Sequence, residues 1–163
     1  MLAKDFLHLD NLSGNFIIEG DDAYLRDKVI ESAISHLPDG LVEFNYQAMS
    51  GGKDIGSDIV VQLMMVPAMS DVRIVYVKEL TEKLSKKSLD FLKEYLENPY
   101  DYSVLIINNE KGYASALKKY LTTIECASYM GIDSIKSGNR YADGCGRPAT
   151  PVIQSFSINM KYA

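Results

Sequence analysis

The sequence predicts a three-layer α/β protein, a five-stranded parallel sheet with helices on both faces, followed by an irregular C-terminal tail with one possible extra strand. Three observations carry that expectation. Short β-branched runs at Phe16–Ile18, Val72–Val77 and Val104–Ile107 read as strands buried on both faces. Apolar residues between them recur at helical spacing, and proline, glycine or asparagine closes each helical stretch before the next strand begins. Strands alternating with helices build a parallel sheet because each right-handed crossover returns the chain in the same direction.

Taken in order, Phe16, Ile17 and Ile18 form the first strand, and Gly20 ends it. Asp21 or Asp22 is placed to cap the next helix, in which Leu25, Val29, Ala33 and Leu37 form a stripe until Pro38, Asp39 and Gly40 force a turn. Leu41–Met49 is expected as a second strand, with Val42, Phe44 and Tyr46 on one face and Gly51 and Gly52 closing it. A second helix is expected over Asp54–Val66, packing Ile55, Ile59, Leu63 and Val66 inward, and Pro67 stops it. Val72–Val77 is the most strand-like stretch, followed by the polar run Lys78, Glu79, Thr81, Glu82 and Lys83. Ser85 or Ser88 then caps a third helix with Leu89, Leu92 and Leu96 on its apolar side, stopped by Asn98 and Pro99. Val104–Ile107 is the fourth strand, Ala114–Leu121 a short helix, and Thr122–Ala127 the fifth strand. The polar, glycine-rich stretch Gly131–Pro151 reads as a long loop, and Phe156, Ile158, Met160 and Tyr162 alternate with polar residues as a half-buried strand would. The expected division is therefore an α/β domain over residues 1–129 and a loop-rich tail over 130–163.

Composition narrows the function classes. Apolar residues make up 47% of the chain and charged residues 24%, which excludes wholesale disorder. A formal net charge of −5 gives no general attraction to nucleic acid or to anionic membrane, so direct sequence-specific DNA binding is not expected. Lys78, Lys83, Lys86, Lys87 and Lys93 are interleaved with Glu79, Glu82, Glu94 and Glu97, the pattern of a solvated, salt-laced face. No stretch reaches the ~18 apolar residues of a membrane span. Cys126 and Cys145 lie in unlike settings and read as reduced thiols, which fits a cytoplasmic location.

The chemistry-bearing motifs fail one by one. A phosphate-binding loop needs glycines for close backbone approach, a lysine for the terminal phosphates and a hydroxyl for magnesium. The junction EGDDAYL has one glycine, two carboxylates and no lysine in place, so neither ATP hydrolysis nor dinucleotide binding is expected there. Capping and the helix dipole account for Asp21 and Asp22. His8 and His36 have no second ligand at metal spacing, so no metal or other cofactor is expected. The acidic pair after the first strand also resembles that of phosphoacceptor receiver domains. Such domains need an acceptor aspartate after the third strand and a lysine after the fifth, and the sequence has neither.

Met69 lies in VPAMSD, between a proline-stopped helix and the strand from Val72. Spacing alone favours Ala68 and Met69 folding back on the core. If Met69 instead projects, burying it in a partner would contribute about 1.5–3 kcal/mol, enough for an anchor.

From about Phe16 to Tyr129 the sequence resembles the N-terminal domain of the delta subunit of the bacterial DNA polymerase III clamp loader. The resemblance rests on FIIEGDDAYLRDKVI, VPAMSDVRIVYVKEL and FLKEYLENPYDYSVLIINNE, in that order and spacing. It implies an AAA+ type α/β module without a nucleotide-binding loop, noncatalytic by itself, that binds the ring-shaped sliding clamp and favours ring opening during replication. Carried onto this chain, Ala68 and Met69 would be the inserted pair, Val66 and Pro67 would shape the loop, and Val72 and Arg73 would flank it. Ala68 would make a weaker plug than the larger residue usual there. From Gly131 onward nothing resembles the middle and collar domains of a complete delta, so clamp contact is implied more firmly than assembly with other loader subunits. The competing reading is a stand-alone regulatory domain of receiver-like or nucleotide-sensing type.

Overall fold

A computed structural model of the chain describes residues 1–127. The expected loop at Gly131–Pro151, the strand expected around Phe156–Tyr162 and Cys145 lie outside the described residues.

The chain opens with α1 (Ala3–Phe6), a single helical turn absent from the sequence reading, and enters the sheet at β1 (Phe16–Glu19). There follow α2 (Ala23–Ile34), α3 (Val42–Asn45), β2 (Tyr46–Gly51), α4 (Gly56–Met64), β3 (Arg73–Leu80), α5 (Lys86–Glu97), β4 (Ser103–Asn108), a 3-10 helix (Ser115–Tyr120) and β5 (Thr122–Glu125). All five strands pair in parallel, in the order β2-β3-β4-β1-β5. The last edge is covered by the amino terminus. Glu125 N–H donates to Met1 O at 2.8 Å, the Met1 ammonium donates to Thr123 O at 3.0 Å, and Leu2 bridges to Glu125.

Alternation along the central strands builds two cores. Ile17, Val75, Val77, Leu105 and Ile107 point to the face covered by α4, α5 and the 3-10 helix, where they meet Ile59, Leu63, Leu92 and Leu117. Phe16, Ile18, Ile74, Tyr76, Val104 and Ile106 point to the opposite face and are buried with Phe6, Val29 and Ala33 of α1 and α2. The Phe6 and Phe16 rings meet edge-on at 5.1 Å. Capping follows the expectation, with Asp22 accepting from Leu25 N–H and Ser85 accepting from Ser88 N–H.

Three expectations need correction. The stretch Leu41–Met49 is not one strand: Val42–Asn45 forms a helical turn, strand geometry begins at Tyr46, and Phe44 is 60% exposed. Apolar alternation allowed a strand, but the Asn45 side chain donates back to Leu41 O at 3.0 Å and closes a turn. The helix expected over Asp54–Val66 ends at Met64, and Val66 is 74% exposed instead of packing inward. Pro67 excludes helical geometry from the residue before it, and the chain leaves the helix one residue earlier, at an extended Met65. The short helix before β5 is of 3-10 type, one residue shorter at each end than expected.

Cys126, at the end of β5, is fully buried and free, and burial pushes its thiol up to about 11. Alkylating agents attack the thiolate. At pH 8 the folded chain should therefore react at Cys126 at least about 100-fold more slowly than the unfolded chain, measured by iodoacetamide labelling in a Cys145→Ser background. Equal rates would place the thiol in solvent.

Candidate functional site

The C-terminal ends of the parallel strands are where α/β sheets usually hold ligands, and here those ends are occupied by the protein's own groups. Gly20 turns the chain with φ 116, a conformation glycine adopts without penalty. Its carbonyl accepts from Arg26 Nη1 at 2.8 Å, Asp22 N–H donates to Cys126 O at 2.9 Å, and the Asp22 carboxylate accepts from Leu25 N–H at 3.0 Å. The capping carboxylate thus takes the place an anion would need at this helix start. A crevice of about 260 Å³ lies beside it, lined in part by Arg26, Tyr76, Lys78, Asn108, Glu110 and Lys111. Two of its cations are already paired, Arg26 with Glu110 at 3.3 Å and Lys111 with Glu79 at 3.6 Å. Burial pushes the Tyr76 phenol on its floor up to about 12. Among the described residues no group of three or more His, Cys, Asp or Glu is placed to hold a metal ion. His36 instead ties α2 to the N-terminal segment, its ring nitrogens lying 2.9 Å from Ser32 O and 3.1 Å from Leu9 O.

The other end of the sheet carries a different feature. Between α4 and β3 the chain makes a short turn through Val66, Pro67, Ala68, Met69 and Ser70, and Met69 at its tip is 87% exposed with φ 52. Among the described residues it is the one non-glycine residue with positive φ. A bulky residue in that region is strained, and such strain collects at functional positions. Met69 does not fold back on the core. Phe44, Val61, Met64, Met65 and Val66 are exposed with it, so the apolar material at the α4 end of the domain is contributed by α3, α4 and the turn together.

Beneath the turn the structure is polar and tightly bonded. Asn45, fully buried, receives Ala68 N–H on Oδ1 at 2.7 Å and donates from Nδ2 to Ala68 O at 2.8 Å. Arg73, 6% exposed, sits under the end of α4. Its Nε donates to Gln62 O at 3.0 Å, Nη1 to Phe44 O at 2.7 Å and Nη2 to Gln62 Oε1 at 2.7 Å. Burial lowers the Arg73 guanidinium from its usual range, yet an arginine stays charged at neutral pH, and the negative end of the α4 dipole faces it. Tyr102 completes the cap by donating from its hydroxyl to Met64 O at 3.1 Å. Two of the carbonyls at the C-terminus of α4, Gln62 O and Met64 O, are in this way bonded to β3 and to the chain entering β4. At the other base of the turn Ser70 Oγ donates to Val72 O at 2.9 Å.

Of the six residues singled out from the sequence, the structure brings five to the turn surface or its margin and puts Arg73 underneath. Val66, Ala68 and Met69 are exposed, Pro67 and Val72 half-buried. Arg73 cannot flank the loop as a surface contact, because its guanidinium is spent on holding α4 and α3. Sequence reasoning missed Asn45 altogether. The available signal was an asparagine inside an expected strand, a type depleted there.

The fold and the site define an α/β domain whose strand-end crevice is lined by its own ion pairs and whose α4 end exposes apolar residues of α3, α4 and the turn that follows. The model of the DNA polymerase III delta subunit family matches residues 16–129. The chain belongs to that family. Among solved structures it is similar to the DNA clamp loader delta protein of Bacillus subtilis, with a TM-score of 0.60, 16% identity, and coverage of 84% of this chain and 45% of that one. It is also similar to a DNA polymerase III gamma subunit-related protein of Thermotoga maritima, with a TM-score of 0.53, 14% identity, and coverage of 86% and 50%. The chain spans about half the length of these proteins, and at such identity they establish the fold alone. The expected five-stranded parallel α/β architecture is thereby borne out. No curated protein matches the chain. No helix among the described residues is long and apolar enough to cross a membrane.

Proposed function

We propose that this chain is a noncatalytic delta-type module that docks on the sliding clamp through Met69, supported by Ala68 and the exposed end of α4, and that docking favours an open ring. The observation that carries the reading is the placement of Met69: a long apolar side chain held out in solvent by a strained backbone on a bonded base. A small-molecule site is concave and encloses its ligand. A convex apolar knob fits a pocket on another macromolecule, and membership of the delta family supports the clamp as that partner. Ring opening follows only if docking is tighter on the open or strained ring than on the closed one, since a ligand shifts a two-state equilibrium by its differential affinity alone.

The test is direct binding of the full chain to its cognate sliding clamp, measured beside the same clamp with its ring interfaces covalently closed. Binding is expected to both, and weaker to the closed ring. No binding to either would overturn the proposal. Equal binding would remove ring opening and leave docking. Thermal stabilisation by ATP, or by a phosphoryl analogue with magnesium, would favour the regulatory-domain alternative instead.

Met69→Gly separates the knob from its backbone. Glycine relieves the left-handed strain, worth about 1–2 kcal/mol, against about 0.5–1 kcal/mol of added chain entropy in the unfolded state. Unfolding in urea should show stability equal to or up to about 1 kcal/mol above that of the parent chain, while clamp binding falls. A clear loss of stability would mean that the side chain, and not only the backbone, is part of the fold.

A further inference from the structure

We infer that Asn45 is the positioning residue of the docking loop: its buried carboxamide grips Ala68 through both backbone groups and so holds Met69 in its projecting, left-handed conformation without touching the partner. The inference rests on the reading of Met69 as the docking knob, and its test separates the two. Asn45 lies 23 residues from Ala68 in sequence, at the joint between α3 and β2, and both donors of its amide are in use, one on Leu41 O at 3.0 Å and one on Ala68 O at 2.8 Å. Its oxygen accepts Ala68 N–H at 2.7 Å, so the side chain imitates one antiparallel strand pair.

The residue after such a grip has little freedom. Met69 is joined directly to Ala68, and on its other side Ser70 is tied to Val72. Without Asn45, the Ala68 N–H and C=O would turn to water and Met69 would leave the left-handed region for the more favourable right-handed or extended ones. Docking would then have to select a minor conformer, and the apparent affinity would fall by the fraction that remains competent. Arg73 fixes a neighbouring part of the same platform, because Phe44 O, one residue before Asn45, and Gln62 at the end of α4 are bonded to the same guanidinium.

The experiment is a double-mutant cycle on the full chain with Asn45→Ala, Met69→Ala and the pair, read by equilibrium binding to the sliding clamp and by amide hydrogen exchange. Asn45→Ala should weaken binding about 10- to 100-fold, speed exchange at Ala68 and Met69, and leave exchange at Ile74–Val77 of β3 unchanged. In the Met69→Ala background it should have almost no further effect on binding. A merely stabilising asparagine would not produce that non-additivity. If Asn45→Ala binds like the parent chain while Met69→Ala does not, the positioning inference fails and the docking reading stands. If Met69→Ala also binds like the parent, the docking reading itself fails. Should Asn45→Ala lose cooperative unfolding, Asn45→Ser replaces it under the same expectations, since serine is too short to hold both Ala68 groups.

Discussion

Met69→Asp is expected to abolish binding to the sliding clamp, a loss of at least about 100-fold in affinity, while the folded domain unfolds at an unchanged temperature. The first half follows from transfer energies. Burying a methionine side chain contributes about 1.5–3 kcal/mol, and aspartate forfeits that and adds the cost of placing a carboxylate in an apolar pocket. The second half follows from the backbone. Aspartate is among the residues that tolerate the left-handed region, so φ 52 remains accessible, and at 87% exposure the methionine gives the core almost nothing to lose. Met69→Leu is the matching control, since a similar volume of apolar surface should keep affinity within about tenfold. Binding would be measured by surface plasmon resonance and unfolding by calorimetry. A Met69→Asp chain that still binds would show that the contact lies elsewhere on the domain.

How far the sequence led can be judged at particular residues. β1, β3 and β4 were legible because strands buried on both faces need no partner pattern to be recognised, only a β-branched run of the right length. The helices α2 and α5 were legible through a capping side chain and a proline or glycine stop. The turn at 66–70 was visible as a proline-broken link, but whether Met69 pointed in or out was not. Its direction depends on Asn45 and Arg73, whose bonds to Ala68, Gln62 and Phe44 span 23, 11 and 29 residues of sequence. Local periodicity carries no information about such bonds. The difference at Val42–Asn45 has a local cause: alternation suggested a strand, and a side-chain bond from Asn45 to Leu41 O, four residues back, made a turn. The flanking role of Arg73 is what the family resemblance implies, and position in a motif does not show whether the side chain turns outward or under the helix. Here the carbonyls at the end of α4 and the Phe44 carbonyl replace its water.

The converse of the Met69 result should come from Gly56→Ala, a change far from the docking turn. Within a helix, replacing glycine by alanine normally stabilises by about 1 kcal/mol. At Gly56 the sign should reverse. A Cβ there would lie 2.6 Å from Ser88 Cα and 2.7 Å from both Ser88 Cβ and Ser88 O, where α4 begins against α5. These are mostly backbone atoms, so no side-chain rotation opens the space, and the two helices must part. Parting them loosens the Leu63, Leu92 and Leu96 contacts of the core and stretches the 3.1 Å bond from Gly56 N–H to Ser88 Oγ. Overpacking of this kind costs about 1–3 kcal/mol and the bond about 1 kcal/mol, which exceeds the helical gain. The thermal midpoint should fall by roughly 5–10 °C in calorimetry. Clamp binding below that midpoint should persist, because the groups that hold the turn, Asn45, Arg73 and Tyr102, meet α4 and its exit at the opposite end of the helix. Loss of binding together with stability would mean that the turn takes its shape from the packing of α4 on α5. Retained binding at reduced stability would place its shape in the polar bonds beneath Ala68 and Met64.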